Sequence, residues 1–267
     1  MTMMPSIGLG TWGLTGPEGV AVMRRAIELG YRHFDTAQTY DTEAGIAEAI
    51  AESGLPRAEF FITTKIADTR LSARDLLPSL CESLRRLRVE QVDLALIHWP
   101  VRDDVVPLEE YVEQLVDAKA REMTSAIGVS NFPSTLLERA AARAGRGEIA
   151  TNQVELHPFL QSPALQSTSA RLSIPLTAYI PLARGAVATD PVIRSIADRL
   201  DASPASVTLA WHRQRGRAAI PSSRNTEHLR QNLQSLRMTL TADDLEAIDA
   251  LDRGERIINP AKSPAWD

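Results

Sequence analysis

Short runs of apolar and β-branched residues recur along the chain, each followed by a stretch with apolar residues at helical spacing; this alternation constrains the fold more than any single motif. The strand-like runs end near residues 10, 35, 65, 98, 130, 153, 180 and 221. Spacing of this size suits parallel strands joined by crossover helices, and about eight such units predict an α/β fold closed as a single (β/α)8 TIM barrel. A doubly wound open sheet fits less well, because about eight such units suit a closed barrel rather than an open sheet. No Pro/Gly-rich linker or change of composition divides residues 1–267, which reads as one domain.

Helices are expected over 18–30, 43–53, 72–87, 107–120, 133–144, 163–172, 191–200, 203–216, 226–236 and 243–251. Ser72 with Asp75, and Thr241 with Asp244, have the spacing of capping boxes, and Ser203 followed by Pro204 reads as a cap and first-turn pair. The one cysteine, Cys81, sits among leucines at helical spacing and is expected to pack beside them.

A net charge of −5, with 29 Lys and Arg spread among acids, argues against a nucleic-acid surface. One cysteine excludes an internal disulfide, and the five histidines form no closely spaced metal motif. The first residues have neither a basic start nor a long apolar run, and no stretch approaches the roughly 20 residues of a membrane span, so a cytoplasmic enzyme is expected.

In a barrel of this kind the carboxyl ends of the strands share one face, which brings Asp35, Lys65 and His98 together with Tyr40 in the loop after the second strand. A tyrosine, with an ordinary pKa of roughly 10, becomes a useful acid when a cation stabilises its phenolate. Lys65 can be that cation, Asp35 can hold it charged, and His98 can bond a substrate oxygen or join proton transfer. The set best suits acid-assisted addition to a carbonyl, without showing what adds. Each residue also has a plainer reading: Asp35 as a loop cap, Lys65 as half of a rim ion pair, Tyr40 as a packing aromatic, His98 as a satisfied rim histidine. Trp12 and Trp99 can wall a small substrate site or simply close the top of the core.

Later strand ends carry groups suited to a planar amide: Tyr179 to stack on it, and Ser130, Asn131 and Gln153 to bond it. Equally, Ser130 and Asn131 can cap the next helix and Gln153 can tie strands together. The segment IPSSRNTEHLRQN (220–232) is the best anion site, offering Ser222, Ser223, Arg224 and a helix start near Thr226; His228 and Arg230 would add to it if they turn inward.

Taken in order, GLGTW (8–12), GYRHFDTAQTY (30–40), ITTKI (62–66), LIHWP (96–100), GVSNF (128–132), NQVELHPFLQ (152–161) and IPSS (220–223) make the chain resemble the aldo-keto reductases over nearly its whole length, and among them the B-type bacterial 2,5-diketo-D-gluconate reductases. The resemblance implies a monomer that reduces small aldehydes, 2-keto aldehydes or keto-sugar acids with NADPH, with no metal. It implies Tyr40 as general acid, Asp35 and Lys65 tuning it, and His98 orienting the carbonyl, with Trp12, Tyr40, His98 and Trp99 around the substrate. It assigns Ser130, Asn131, Gln153 and Tyr179 to the nicotinamide side of the cofactor, Leu182 to cofactor binding, and Ser222, Ser223, Arg224, His228, Gln231 and Asn232 to the adenosine phosphate side.

The departures fall at that phosphate side. Ser222 stands where many relatives have lysine, His228 where an arginine is common, and Gln231 where a glutamate is common. Two permanent cations are thereby lost, so NADH use is compatible with the sequence, with Arg224 and Arg230 as replacement charges. The extensions at both ends of the barrel are short, and the tail 255–267 implies an open pocket, with Trp266 over it or packed outside. Two other functions fit parts of the pattern. A Schiff-base aldolase or lyase would use Lys65 as nucleophile, though Asp35 favours its ammonium; a catalytically silent nucleotide-binding subunit would have no use for all four polar residues.

Overall fold

A computed structural model describes residues 3–267 apart from 102 and 104. The first unit is β1 (Leu9–Gly10) with α1 (Gly16–Leu29), followed by β2 (His33–Asp35), α2 (Glu43–Ser53), β3 (Phe61–Ile66), α3 (Leu76–Leu87), β4 (Val92–Ile97) and α4 (Leu108–Ala120). Then come β5 (Thr124–Ser130), α5 (Ser134–Ala144), β6 (Ile149–Glu155), α6 (Pro163–Leu172) and β7 (Leu176–Tyr179). Two helices, α7 (Pro191–Arg199) and α8 (Pro204–Gln214), precede β8 (Ala218–Ile220), and α9 (Thr226–Gln234) and α10 (Ala242–Asp249) end the helical part.

The eight strands form one parallel sheet in chain order. Its seam is drawn together by a parallel bridge between Ile7 and Ala219, and by Gly8 N–H on Ala219 O (2.9 Å) and Gly10 N–H on Pro221 O (3.0 Å). Strand positions alternate between the barrel interior and the helix layer. Toward the helices go Phe34, Ile62, Ala95, Ile97, Ile127 and Val129, which join the main apolar core. Inside, Phe61, Leu94, Leu96 and Ala126 form a second cluster against which Met4 packs, at the amino end of the strands. Above it lie polar residues bonded in pairs, His33 with Thr63 (3.1 Å) and Thr151 with Thr177 (2.8 Å). The interior is tight enough at Gly128 that a Cβ there would stand 2.6 Å from Thr151 O and 2.7 Å from the Leu96 side chain. In the topmost interior layer, at the carboxyl ends, stand the buried charged residues Asp35 and Lys65.

Local signals account for most boundaries. Gly30, at φ 108°, ends α1 by donating to Ala26 O and Ile27 O. Ser203 caps α8, and Thr241 with Asp244 forms the expected capping box on α10. The Ser72–Asp75 pair behaves differently: the two side chains bond each other (2.6 Å) in a loop, and α3 starts only at Leu76. Cys81 is exposed, contrary to expectation. On α3 the buried stripe runs through Leu76, Leu80, Leu84 and Leu87, and the position next to Leu80 is turned about a quarter circle away from it. Among the described residues no helix is long and apolar enough to cross a membrane, and no cluster of His, Cys, Asp or Glu is arranged to hold a metal ion.

Candidate active site

The strands deliver their terminal side chains into one place. Asp35 ends β2, and the loop that follows carries Tyr40; Lys65 lies near the end of β3; His98 follows β4 directly. Asp35 and Lys65 are each only 1% exposed and form an ion pair through Asp35 Oδ1 and Lys65 Nζ. The ammonium also donates to Thr36 O (3.2 Å), and Gln153 Nε2 donates to the other Asp35 oxygen (2.7 Å). A buried ion pair is stable only when its remaining hydrogen-bonding capacity is met, and here Gln153 and the Thr36 carbonyl meet it. Lys65 Nζ stands 5.0 Å from the centre of the Tyr40 ring, and Tyr40 Oη lies 3.3 Å from His98 Nε2.

The electrostatics follow from this packing. Burial alone would discharge Lys65, but Asp35 and then Tyr40 outweigh it and raise its pKa, so the ammonium persists. Burial pushes the Tyr40 phenol above its ordinary value, and Lys65 pulls it back in part. The expected direction of the lysine's effect is therefore present, but the net displacement is upward and the phenol keeps its proton. Burial, then Lys65 and Lys262, hold His98 well below the usual histidine range, so its imidazole is neutral. An imine route through Lys65 requires a neutral amine, which Asp35 opposes.

These groups open on a cavity of about 930 Å³ whose wall reaches from Trp12, Tyr40, His98 and Trp99 to the start of α9. Trp12 is 69% exposed and forms an outer wall, whereas Trp99 is buried. In the middle, Tyr179 donates to Asn131 Oδ1 (2.7 Å), Asn131 Nδ2 donates to His98 O (2.9 Å), and Ser130 Oγ donates to Gln153 O (2.7 Å). Ser130, Asn131, Gln153, Tyr179 and Leu182 all line the cavity, yet part of their bonding capacity holds the rim together. Gln153 in particular is a partner of Asp35, a tie that strand spacing did not reveal.

At the far end Ser222, Ser223, His228, Gln231 and Asn232 line the wall. α9 starts at Thr226, as expected, and Asn225 caps it through the Glu227 and His228 amides. The buried Asn232 Oδ1 has no hydrogen-bond partner among the described residues. Arg224 does not line the cavity; its guanidinium bonds Gly13 O (2.6 Å) and reaches Glu18 (3.3 Å). Arg230 pairs with Glu227 on its own helix and is exposed. A different cation is present: Arg184, which no strand or helix motif had singled out, lines the cavity from the loop after β7, where Ala183, Arg184 and Gly185 all have positive φ (47°, 52° and 95°).

The tail also contributes more than its sequence suggested. Glu155, buried at the end of β6, accepts the Ile257 and Ile258 amides on its two oxygens (2.6 and 2.7 Å), folding the tail across the mouth. Ile258, Pro260 and Lys262 thereby join the wall, so the pocket is less open than a short tail implied. Trp266 lies edge-on to Trp99 (6.2 Å between ring centres), with the Arg256 guanidinium over its ring at 3.7 Å.

Comparison with known proteins agrees with this architecture. Residues 6–253 match the model of the Aldo/keto reductase family. The chain is 46% identical over 265 residues to the methylglyoxal reductase DkgB of Escherichia coli O157:H7, covering 99% of each chain. A crystal structure with the provisional description 2,5-diketo-D-gluconic acid reductase B superposes with a TM-score of 0.94 at 38% identity, covering 99% of this chain and 94% of that one. The Bombyx mori aldo-keto reductase in complex with NADP gives a TM-score of 0.90 at 29% identity, covering 98% and 94%. With its barrel, its rim and these matches running in step over almost the whole sequence, the chain belongs to the aldo/keto reductase family and is an oxidoreductase of carbonyl compounds.

Proposed function

We propose that the protein reduces small aldehydes, 2-keto aldehydes and keto-sugar acids with NADPH, using Tyr40 as the proton donor. The observation that carries this reading is the joined set Gln153–Asp35–Lys65 beneath the Tyr40–His98 pair. NADPH, when bound, supplies the hydride. Tyr40 Oη gives its proton to the carbonyl oxygen as charge develops there, and Lys65 stabilises the phenolate left behind. Asp35, held by Gln153, keeps Lys65 charged and in place. His98, neutral, directs an N–H at the same carbonyl oxygen when Nε2 carries its proton, which fixes the carbonyl against the phenol.

The residues of the wall fit the cofactor. Tyr179 would offer a ring to the nicotinamide, Asn131, Ser130 and Gln153 would bond its carboxamide, and Leu182 would add to the same wall. Ser222, Ser223 and His228 suit phosphate oxygens, and the unpartnered Asn232 Oδ1 suits an amino donor such as that of adenine. Arg184 supplies the permanent charge that Ser222 and His228 do not. DkgB is named a methylglyoxal reductase, and a solved relative is described as a diketogluconate reductase; both support the substrate range.

The test is absorbance loss from NADPH, and in parallel from NADH, with methylglyoxal and with 2,5-diketo-D-gluconate. Carbonyl-dependent oxidation of NADPH is expected with both compounds, faster than that of NADH, and Tyr40→Phe should lose roughly 10²–10⁴-fold in kcat. Equal efficiencies with the two cofactors would overturn the NADPH preference, and wild-type turnover by Tyr40→Phe would overturn the proton donor.

A further inference from the structure

We propose that Lys262 is a specificity-determining residue: its ammonium, held at the cavity mouth by the folded tail, binds the carboxylate of acidic carbonyl substrates and favours them over uncharged ones. The proposal rests on the reductase reading above and adds to it the residue that recognises the acid.

Two permanent cations line the cavity among the described residues, Arg184 and Lys262. Arg184 belongs to the loop after β7, five residues beyond Tyr179, on the side assigned to the cofactor. Lys262 is at the substrate end: its Nζ stands 5.6 Å from the centre of the Trp99 ring, next to His98, and its charge helps keep His98 neutral. Lys65, the other nearby cation, is committed to Asp35 and Thr36 and has no charge to spare for a substrate anion.

Lys262 does have a partner, Asp68 Oδ1 at 2.8 Å, and the nature of that pair matters. Lysine and aspartate are 42% and 23% exposed, so water screens the attraction and the pair is weak. Lys262 lines the cavity whereas Asp68 does not, so the carboxylate orients the ammonium from outside the wall. A substrate carboxylate entering the mouth can share or displace Asp68 at small cost and gain a charge-assisted hydrogen bond. The lysine is held at the mouth from both sides, because Glu155 fixes the tail before it and Asp267, bonded to the Ser134 amide (3.0 Å), fixes the tail after it.

The experiment compares kcat and KM for 2,5-diketo-D-gluconate, which carries a carboxylate, with those for methylglyoxal, which does not, in wild type, Lys262→Met and Asp68→Asn. The ratio of kcat/KM for the acid to that for methylglyoxal should fall about tenfold in Lys262→Met, mainly through KM, as expected for one charge-assisted bond at a half-exposed site. In Asp68→Asn, which leaves the ammonium without its competitor, the ratio should rise. Added salt should lower the wild-type ratio and have less effect on that of Lys262→Met. A purely structural tether predicts that both variants act alike on both substrates, and that result would overturn the proposal. So would an unchanged ratio in Lys262→Met. Reduction of neither compound by wild type would instead overturn the reductase reading, and the proposal with it.

Discussion

At the Tyr40 end of the cavity the charged groups are buried and partnered, Lys65 on Asp35 and Asp35 on Gln153, whereas at the 222–232 end the polar groups are largely exposed and their nearest arginines bond elsewhere. The first arrangement is fixed before any ligand arrives and cannot be altered one residue at a time without leaving a buried charge unpaired. The second is a surface whose charge depends on single exposed side chains. On the proposed assignment of these two ends, chemistry and cofactor choice are therefore built with different tolerance to substitution in the same molecule.

The comparison breaks most visibly at Lys65. Replacing it by Met strands the Asp35 carboxylate in the barrel, and a loss of about 3–5 kcal/mol of stability is expected from urea unfolding, together with loss of reductase activity. No substitution at Ser222, Ser223 or Arg224 should approach that cost in stability.

Acid should act on the buried parts of the molecule next. Burial lowers the pKa of His33, His98 and His212, so the unfolded chain binds protons at these three sites that the folded chain refuses. Stability is then fully present above the ordinary histidine value of about 6.5 and is lost as pH falls below it, by up to about 1.4 kcal/mol per pH unit for each histidine. Urea midpoints measured at stepped pH from 8 to 5 check the sign; a midpoint that rose on acidification would contradict it.

Smaller effects should sharpen the cofactor end. Ser222→Lys is expected to raise NADPH affinity relative to NADH by about fivefold, and Arg184→Ala to weaken NADPH binding by a similar factor, while Arg224→Ala, turned toward Gly13, should change it less. Quenching of protein fluorescence by each nucleotide gives these affinities without turnover. An Arg224→Ala effect larger than that of Arg184→Ala would reverse the assignment.

How much of this was legible in the sequence follows the same division. The barrel was, because a strand–helix period repeats with caps such as Ser203 and Thr241 in place. So was the meeting of Asp35, Lys65 and His98 on one rim, since they sit at strand ends whose common face the fold dictates. The start of α3 was not, because Ser72 and Asp75 satisfy a capping pattern while bonding each other side chain to side chain. Arg224 stood in the right segment, but its direction depends on the Gly13 carbonyl and Glu18, contacts far away in the chain. The tail has no period at all. Its place is set by the buried carboxylate of Glu155, a residue that the sequence presents only as one acid at the end of a strand.

On the proposed mechanism, the rim serves to let Tyr40 deliver a proton. Single-turnover oxidation of NADPH by methylglyoxal, with cofactor binding followed separately by fluorescence, tests it most directly in Tyr40→Phe against wild type. The account predicts that the variant binds NADPH but that its single-turnover rate falls by roughly 10²-fold or more. A variant that binds NADPH and turns over once at the wild-type rate would contradict it.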